Sequence, residues 1–236
     1  MFLDAFHTQQ DNKVQISAEQ GSRFAKEISD DFNPLHNPDN KRFIVPGDLL
    51  FALTLSRLGL AKQMTFNYTG MVAQNSTLVF PDTLVPEFSI TDGADKTFLS
   101  VQTEGESTQN SNLIEAFIRA YVAFSGHSFP HILVPLMQEN NVMINPARPM
   151  VMYESMAFEF TNTDIQSATL ELVNSELNVT GKRGQVTLSF NIFDEQQQKV
   201  GSGYKTMVLS GLREYDQTAI DELIAIYEQS KLAYAA

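Results

Sequence analysis

The chain has 236 residues, enough for one large domain or two small ones with real cores. Its net charge of −12 and pI near 4.7 argue against phosphate backbones and anionic membranes as partners. With no cysteine, disulfides, thiolate nucleophiles and cysteine-ligated metals are excluded. The first residues lack the basic and apolar regions of a signal peptide. The longest apolar run, 49–55 with only Thr54 interrupting it, is far short of a membrane span, so the cytoplasm is the expected location. The 17 phenylalanines stand against no tryptophan, a bias that composition alone does not explain.

Ser17-Ala18-Glu19-Gln20 has the pattern of a capping box and predicts a helix ending near Ser29, with Phe24, Ala25 and Ile28 on one face. Asp30-Asp31-Phe32-Asn33-Pro34 is loop chemistry, and Pro34 pushes Asn33 out of the α region. A second helix is expected from Pro46-Gly47-Asp48 to about Lys62. Its apolar residues fall on nearly every face, so a sheet must wrap it. Strands are expected within 64–80, at 87–90, at 97–101 and at 113–124, the last rich in Ile, Phe and Tyr. Turns are expected at Pro81-Asp82, Asp92-Gly93 and Gly105.

Ser125-Gly126 breaks this pattern, which then restarts with a helix over 129–140. Strands follow at 151–160, 168–179, 185–194 and 203–209, and an amphipathic helix over 217–231 closes the chain. Its Ile220, Leu223, Ile224 and Tyr227 stripe reads as core packing. The expectation is an α+β double hotdog of two fused units, 1–124 and a degenerate 125–236, each an antiparallel sheet wrapped round a central helix. The repeat is one of element order, not of residue identity. Such a chain already contains the pairing that single units reach by dimerising, so a monomer or a homodimer is expected.

The informative stretch is Asp31-Phe32-Asn33-Pro34-Leu35-His36, followed by Ile44-Val45-Pro46-Gly47-Asp48-Leu49-Leu50. A histidine and a carboxylate across a turn can share acid and base duties around one water. A helix N-terminus supplies a donor for developing negative charge. Taken alone, Asp31 could simply cap a turn, with Asn33 and His36 bonding the loop.

Together the two segments resemble the MaoC-like (R)-specific enoyl-CoA hydratases, whose central helix begins Ile-Val-His-Gly-Met-Leu-Leu. The resemblance covers about residues 17–60. It implies a hotdog fold, a trans-2-enoyl thioester of coenzyme A as substrate, addition of water, and no metal or redox cofactor; the sequence leaves an acyl carrier protein open as the carrier. It makes Asp31 and His36 the catalytic pair, Gly47 the backbone N–H donor to the thioester carbonyl, and Asn33 and Pro34 the support of the loop. The chain departs from the family at Pro46 and Asp48, in a shorter stretch between His36 and Gly47, and in carrying the motif in its first half.

The expected function is a hydratase or dehydratase acting on a 2-enoyl or 3-hydroxyacyl thioester. The departures favour an alternative, an acyl-thioester-binding protein without turnover. A third reading is a structural hotdog whose cleft the phenylalanines fill. Lys41 and Arg42 could grip coenzyme A phosphates or pair with Asp30 or Asp39. Lys182-Arg183 reads as a solvated hairpin tip. His127 and His131 sit four apart, but Pro130 lies between them and a third ligand is lacking, so no metal is expected.

Overall fold

A computed structural model describes residues 2–235. The hairpin β1 (Thr8–Gln10) and β2 (Lys13–Gln15) precedes α1 (Ala18–Glu27) and α2 (Gly47–Leu58). Then come β3 (Leu60–Tyr68), β4 (Leu78–Val79), β5 (Glu87–Thr91) and β6 (Thr97–Thr108). The second half holds α3 (Ser111–Gly126), α4 (Leu133–Glu139), β7 (Val142–Met143), β8 (Val151–Phe160), β9 (Thr169–Thr180), β10 (Arg183–Phe193), β11 (Lys199–Ser210) and β12 (Arg213–Glu214). The helix α5 (Gln217–Ala235) follows.

Ten strands form one antiparallel sheet in the order β1-β2-β4-β5-β6-β3-β8-β11-β10-β9. Reading outward from its centre, the four strands after α2 run β3-β6-β5-β4 and those after α3 run β8-β11-β10-β9. Each unit therefore places its first strand innermost and its last strand next. The units join where β3 pairs with β8, Gln63 opposite Glu159 through Asn67 opposite Ser155. Two units of the same order, each a helix wrapped by an antiparallel sheet, make this a double hotdog.

The Ser17 capping box forms as expected. The helix α2 is buried on all sides from Asp48 to Leu55, but it stops four residues short of the expected Lys62. Gly59 ends it at φ 98°, and a Cβ there would lie 2.9 Å from the Thr108 carbonyl oxygen. Only glycine can make so tight a passage from helix to strand. Gly105, expected in a turn, instead lies inside β6, opposite the bulge of β3 between Ala61 and Gln63.

The strand expected over 113–124 is α3. Its β-branched and aromatic content favoured a strand, but Leu113, Ile114, Phe117, Ile118, Tyr121 and Val122 are buried at helical spacing. Asn110 caps its N-terminus, accepting bonds from the amides of Asn112 and Leu113. This helix, not the shorter α4 found within 129–140, is the central helix of the second unit. The expected division after residue 124 falls inside its last turn.

The phenylalanines fill the layer between helices and sheet. Phe51 of α2 meets Tyr121 of α3 with ring centroids 4.6 Å apart, and Phe117 meets Phe158 at 4.8 Å and Phe160 at 5.0 Å. Such edge and tilted contacts add to the burial of each ring. They leave a cleft open at the N-terminal end of α2.

Candidate active site

The signature loop is held by α5 and by the end of α3. Asp30 takes φ 53°, a left-handed conformation that sends the chain sharply out of α1. Its carbonyl accepts a bond from the Tyr227 hydroxyl at 3.0 Å. Its carboxylate accepts from Lys231 and, at 3.2 Å, from His127. Asp30 thus has its partners on α5 and at the end of α3. Gly126 packs so closely here that a Cβ would fall 1.7 Å from the Ser29 carbonyl oxygen, which fixes glycine at that position.

Within the loop, Asn33 N–H donates to Asp31 Oδ1 at 2.9 Å, and Leu35 N–H donates to Asn33 Oδ1 at 3.0 Å. These bonds and Pro34 set up the 3-10 turn that carries His36. His36 Nδ1 lies 2.8 Å from the Ile44 carbonyl oxygen. A carbonyl only accepts, so Nδ1 carries the proton and, in the neutral ring, Nε2 carries the lone pair. Nε2 faces Asp31 Oδ2 at 3.6 Å. That is too long for a direct hydrogen bond, and a water lying to one side of the pair can bond to both atoms.

Asp31, Asn33, Pro34, His36 and Gly47 all line one cavity of about 150 Å³. Its far walls are apolar, with Phe129, Leu133, Ile144, Met207 and Leu223 among them. Leu223, Ile226 and Tyr227 of α5 border it, so the C-terminal helix forms a cavity wall besides packing against the core. A second cavity of about 290 Å³ shares His36, Gly47 and Tyr153 with the first and runs past Tyr68, Met71 and Met150. Lys41 and Arg42 are exposed and border neither cavity. Among the described residues no three metal-ligating side chains cluster, and no helix is long and apolar enough to cross a membrane.

The floor of the first cavity carries a polar network that sequence reasoning missed. Asp48 points inward and is 5% exposed. Its Oδ2 accepts from Ser125 Oγ at 2.6 Å and its Oδ1 from the Tyr153 hydroxyl at 2.8 Å. Lys205 Nζ donates to Ser125 Oγ at 2.7 Å and lies 4.0 Å from the centre of the Tyr153 ring. Tyr121 and Tyr153 share a hydroxyl contact of 2.7 Å, in which Tyr121 donates because the Tyr153 proton is spent on Asp48.

The donor directions describe a lysine ammonium and an aspartate carboxylate joined through one serine hydroxyl. Burial pushes the Asp48 carboxyl up, opposed by Lys205 and the two hydroxyls. Burial likewise pulls Lys205 down to about 8, opposed by Asp48 and then Asp31. Burial and the Asp48 charge together raise the Tyr153 and Tyr121 phenols well above their ordinary value. The sequence signals for this network were Asp48, already marked as a departure from the family, and a lysine leading the run Lys205 to Leu209. Ser125 had shown only as half of a Ser-Gly break.

No curated protein matches the sequence. Several solved structures resemble it in shape at low identity. A tesB protein from Mycobacterium avium subs paratuberculosis is 8% identical at a TM-score of 0.44, over 88% of this chain and 96% of that one. A conserved protein of unknown function with hot dog fold from Alicyclobacillus acidocaldarius is 8% identical at 0.47, over 89% and 98%. An acyl-CoA thioesterase II from Mycobacterium marinum is 11% identical at 0.42, over 91% and 97%. The fold assignment rests on the chain's own sheet order. In sequence, the family described as "Protein of unknown function (DUF3581)" matches residues 1–218, and the chain belongs to that family.

Proposed function

We propose that the protein adds water to a 2-enoyl thioester, or removes it from the 3-hydroxyacyl counterpart, in the cavity at the N-terminus of α2. The observation that carries this reading is the His36 ring. Its Nδ1 is committed to Ile44, and Nε2 is turned toward Asp31 inside the cavity. The loop's resemblance to MaoC-like (R)-specific enoyl-CoA hydratases supports the same reading.

In the hydration direction, a water held beside His36 Nε2 and Asp31 Oδ2 bonds through its oxygen to Cβ and gives a proton to the pair. The π electrons pass through Cα onto the thioester oxygen, and Cα then takes a proton from the pair. As the first residue of α2, Gly47 has an amide with no acceptor within its helix, and it would face the developing oxyanion. Asn33 and Pro34 hold the loop. The carrier is coenzyme A or an acyl carrier protein.

The test is loss of enoyl absorbance when the protein meets crotonyl-CoA and longer trans-2-enoyl-CoAs. Turnover should fall by about 100-fold or more in both Asp31→Asn and His36→Ala. Wild-type-like turnover in either variant removes that residue from the mechanism. Saturable binding without product would assign the protein instead as an acyl-thioester binder.

A further inference from the structure

The buried network on the cavity floor has no counterpart in the signature loop and asks for its own explanation. Asp48 sits in the first turn of α2, beside the amide that would face the thioester oxygen. An uncompensated carboxylate there would oppose any negative charge formed on a ligand. Lys205 removes that objection, because its ammonium reaches Asp48 through the Ser125 hydroxyl. Neutralising Asp48, however, uses only part of what the lysine offers.

An ammonium can donate three hydrogen bonds. Lys205 is 2% exposed and makes one, to Ser125, among the described residues. Its remaining N–H groups are buried donors in a residue that lines the cavity. The Tyr153 ring, under the ammonium at 4.0 Å, also lies against Gly47, where a Cβ would be 3.3 Å from Tyr153 Cδ2. Lysine ammonium and helix N-terminus therefore both pack against one aromatic ring. Asp31 is the other charged group close enough to act on Lys205.

We infer that Lys205 is a catalytic electrophile of this cavity, donating to the oxygen of a bound acyl thioester as that oxygen becomes an enolate. The inference rests on the acyl-thioester reading and adds a residue and a reaction class to it. The Cα proton passes to the Asp31–His36 pair, its electron pair forms the Cα–C double bond, and the carbonyl π pair moves onto the oxygen that Lys205 holds. The ammonium form performs this role. Burial brings the group down to about 8, so the donor is present at neutral pH and is lost as pH rises through that value.

Acetoacetyl-CoA tests this without turnover, because its α-carbon is acidic and its enolate absorbs in the near ultraviolet. Bound to the wild-type protein at neutral pH, it should show the enolate band at several times the free-solution intensity. Lys205→Met alone strands Asp48, so the decisive variant is Lys205→Met combined with Asp48→Asn, which keeps the charge balance. That double variant should still bind acetoacetyl-CoA by calorimetry but lose the band roughly tenfold. A retained band in the double variant, or wild-type binding without a band, overturns the inference while leaving the acyl-thioester reading intact. No binding of acetoacetyl-CoA, crotonyl-CoA or butyryl-CoA to the wild type overturns both.

Discussion

The two central helices begin alike in topology and differently in chemistry. Asn110 closes the mouth of α3, its side chain taking the amides of Asn112 and Leu113. Before α2 stands Pro46, which offers no side-chain cap. One mouth is sealed by its own sequence, and the other opens onto a cavity with Asp31, His36 and Lys205 around it. The same fold element thus serves as scaffold in one unit and as candidate site in the other. The difference lies in one capping residue and in the charges brought to the open end.

Four substitution experiments and one pH series press on that contrast. The largest effect should come from Lys205→Met, which leaves Asp48 buried without its cation and should cost about 3–5 kcal/mol of stability in chemical denaturation. Adding Asp48→Asn should recover most of that loss. An equal loss in the double variant would mean that the pair does not act as a unit. Pro46→Asn installs the cap of α3 on α2 and aims an acceptor at the open mouth. The protein should stay folded while turnover falls roughly tenfold. Unchanged turnover would show that the open mouth is not used.

Asn110→Ala removes the cap of α3 and should cost about 1 kcal/mol in stability, with turnover unaffected. A loss of activity there would break the division between scaffold and site. The pH series probes the buried lysine directly. Lys205 is held at about 8 in the folded protein, below the 10.5 of an ordinary lysine, so the unfolded chain keeps the proton over the interval between them. Stability relative to the double variant should therefore rise as pH climbs from about 8 toward 10.5. A fall over that interval would contradict a buried, desolvated ammonium.

Local signals were legible where a residue type has one local use. The Ser17 capping box, the Pro34 loop and the apolar run of α2 all appear as read, and the loop brings Asp31 and His36 within 3.6 Å of each other. Residues 113–124 misled because Ile, Phe and Tyr suit a strand, while their helical spacing and the Asn110 cap decided otherwise. The floor of the site was illegible for a different reason. Asp48, Ser125, Tyr153 and Lys205 come from α2, α3, β8 and β11, up to 157 positions apart, and nothing local couples them. Only burial, which forces each polar group to find a partner, draws them together.

The most direct test is a crystal structure with butyryl-CoA, a saturated thioester that cannot be hydrated. The thioester oxygen should lie within hydrogen-bond reach of the Gly47 amide, with Cβ facing His36 Nε2 and the acyl chain running toward Leu133 and Met207. A thioester bound elsewhere, with the cavity at the mouth of α2 holding only water, would contradict the account.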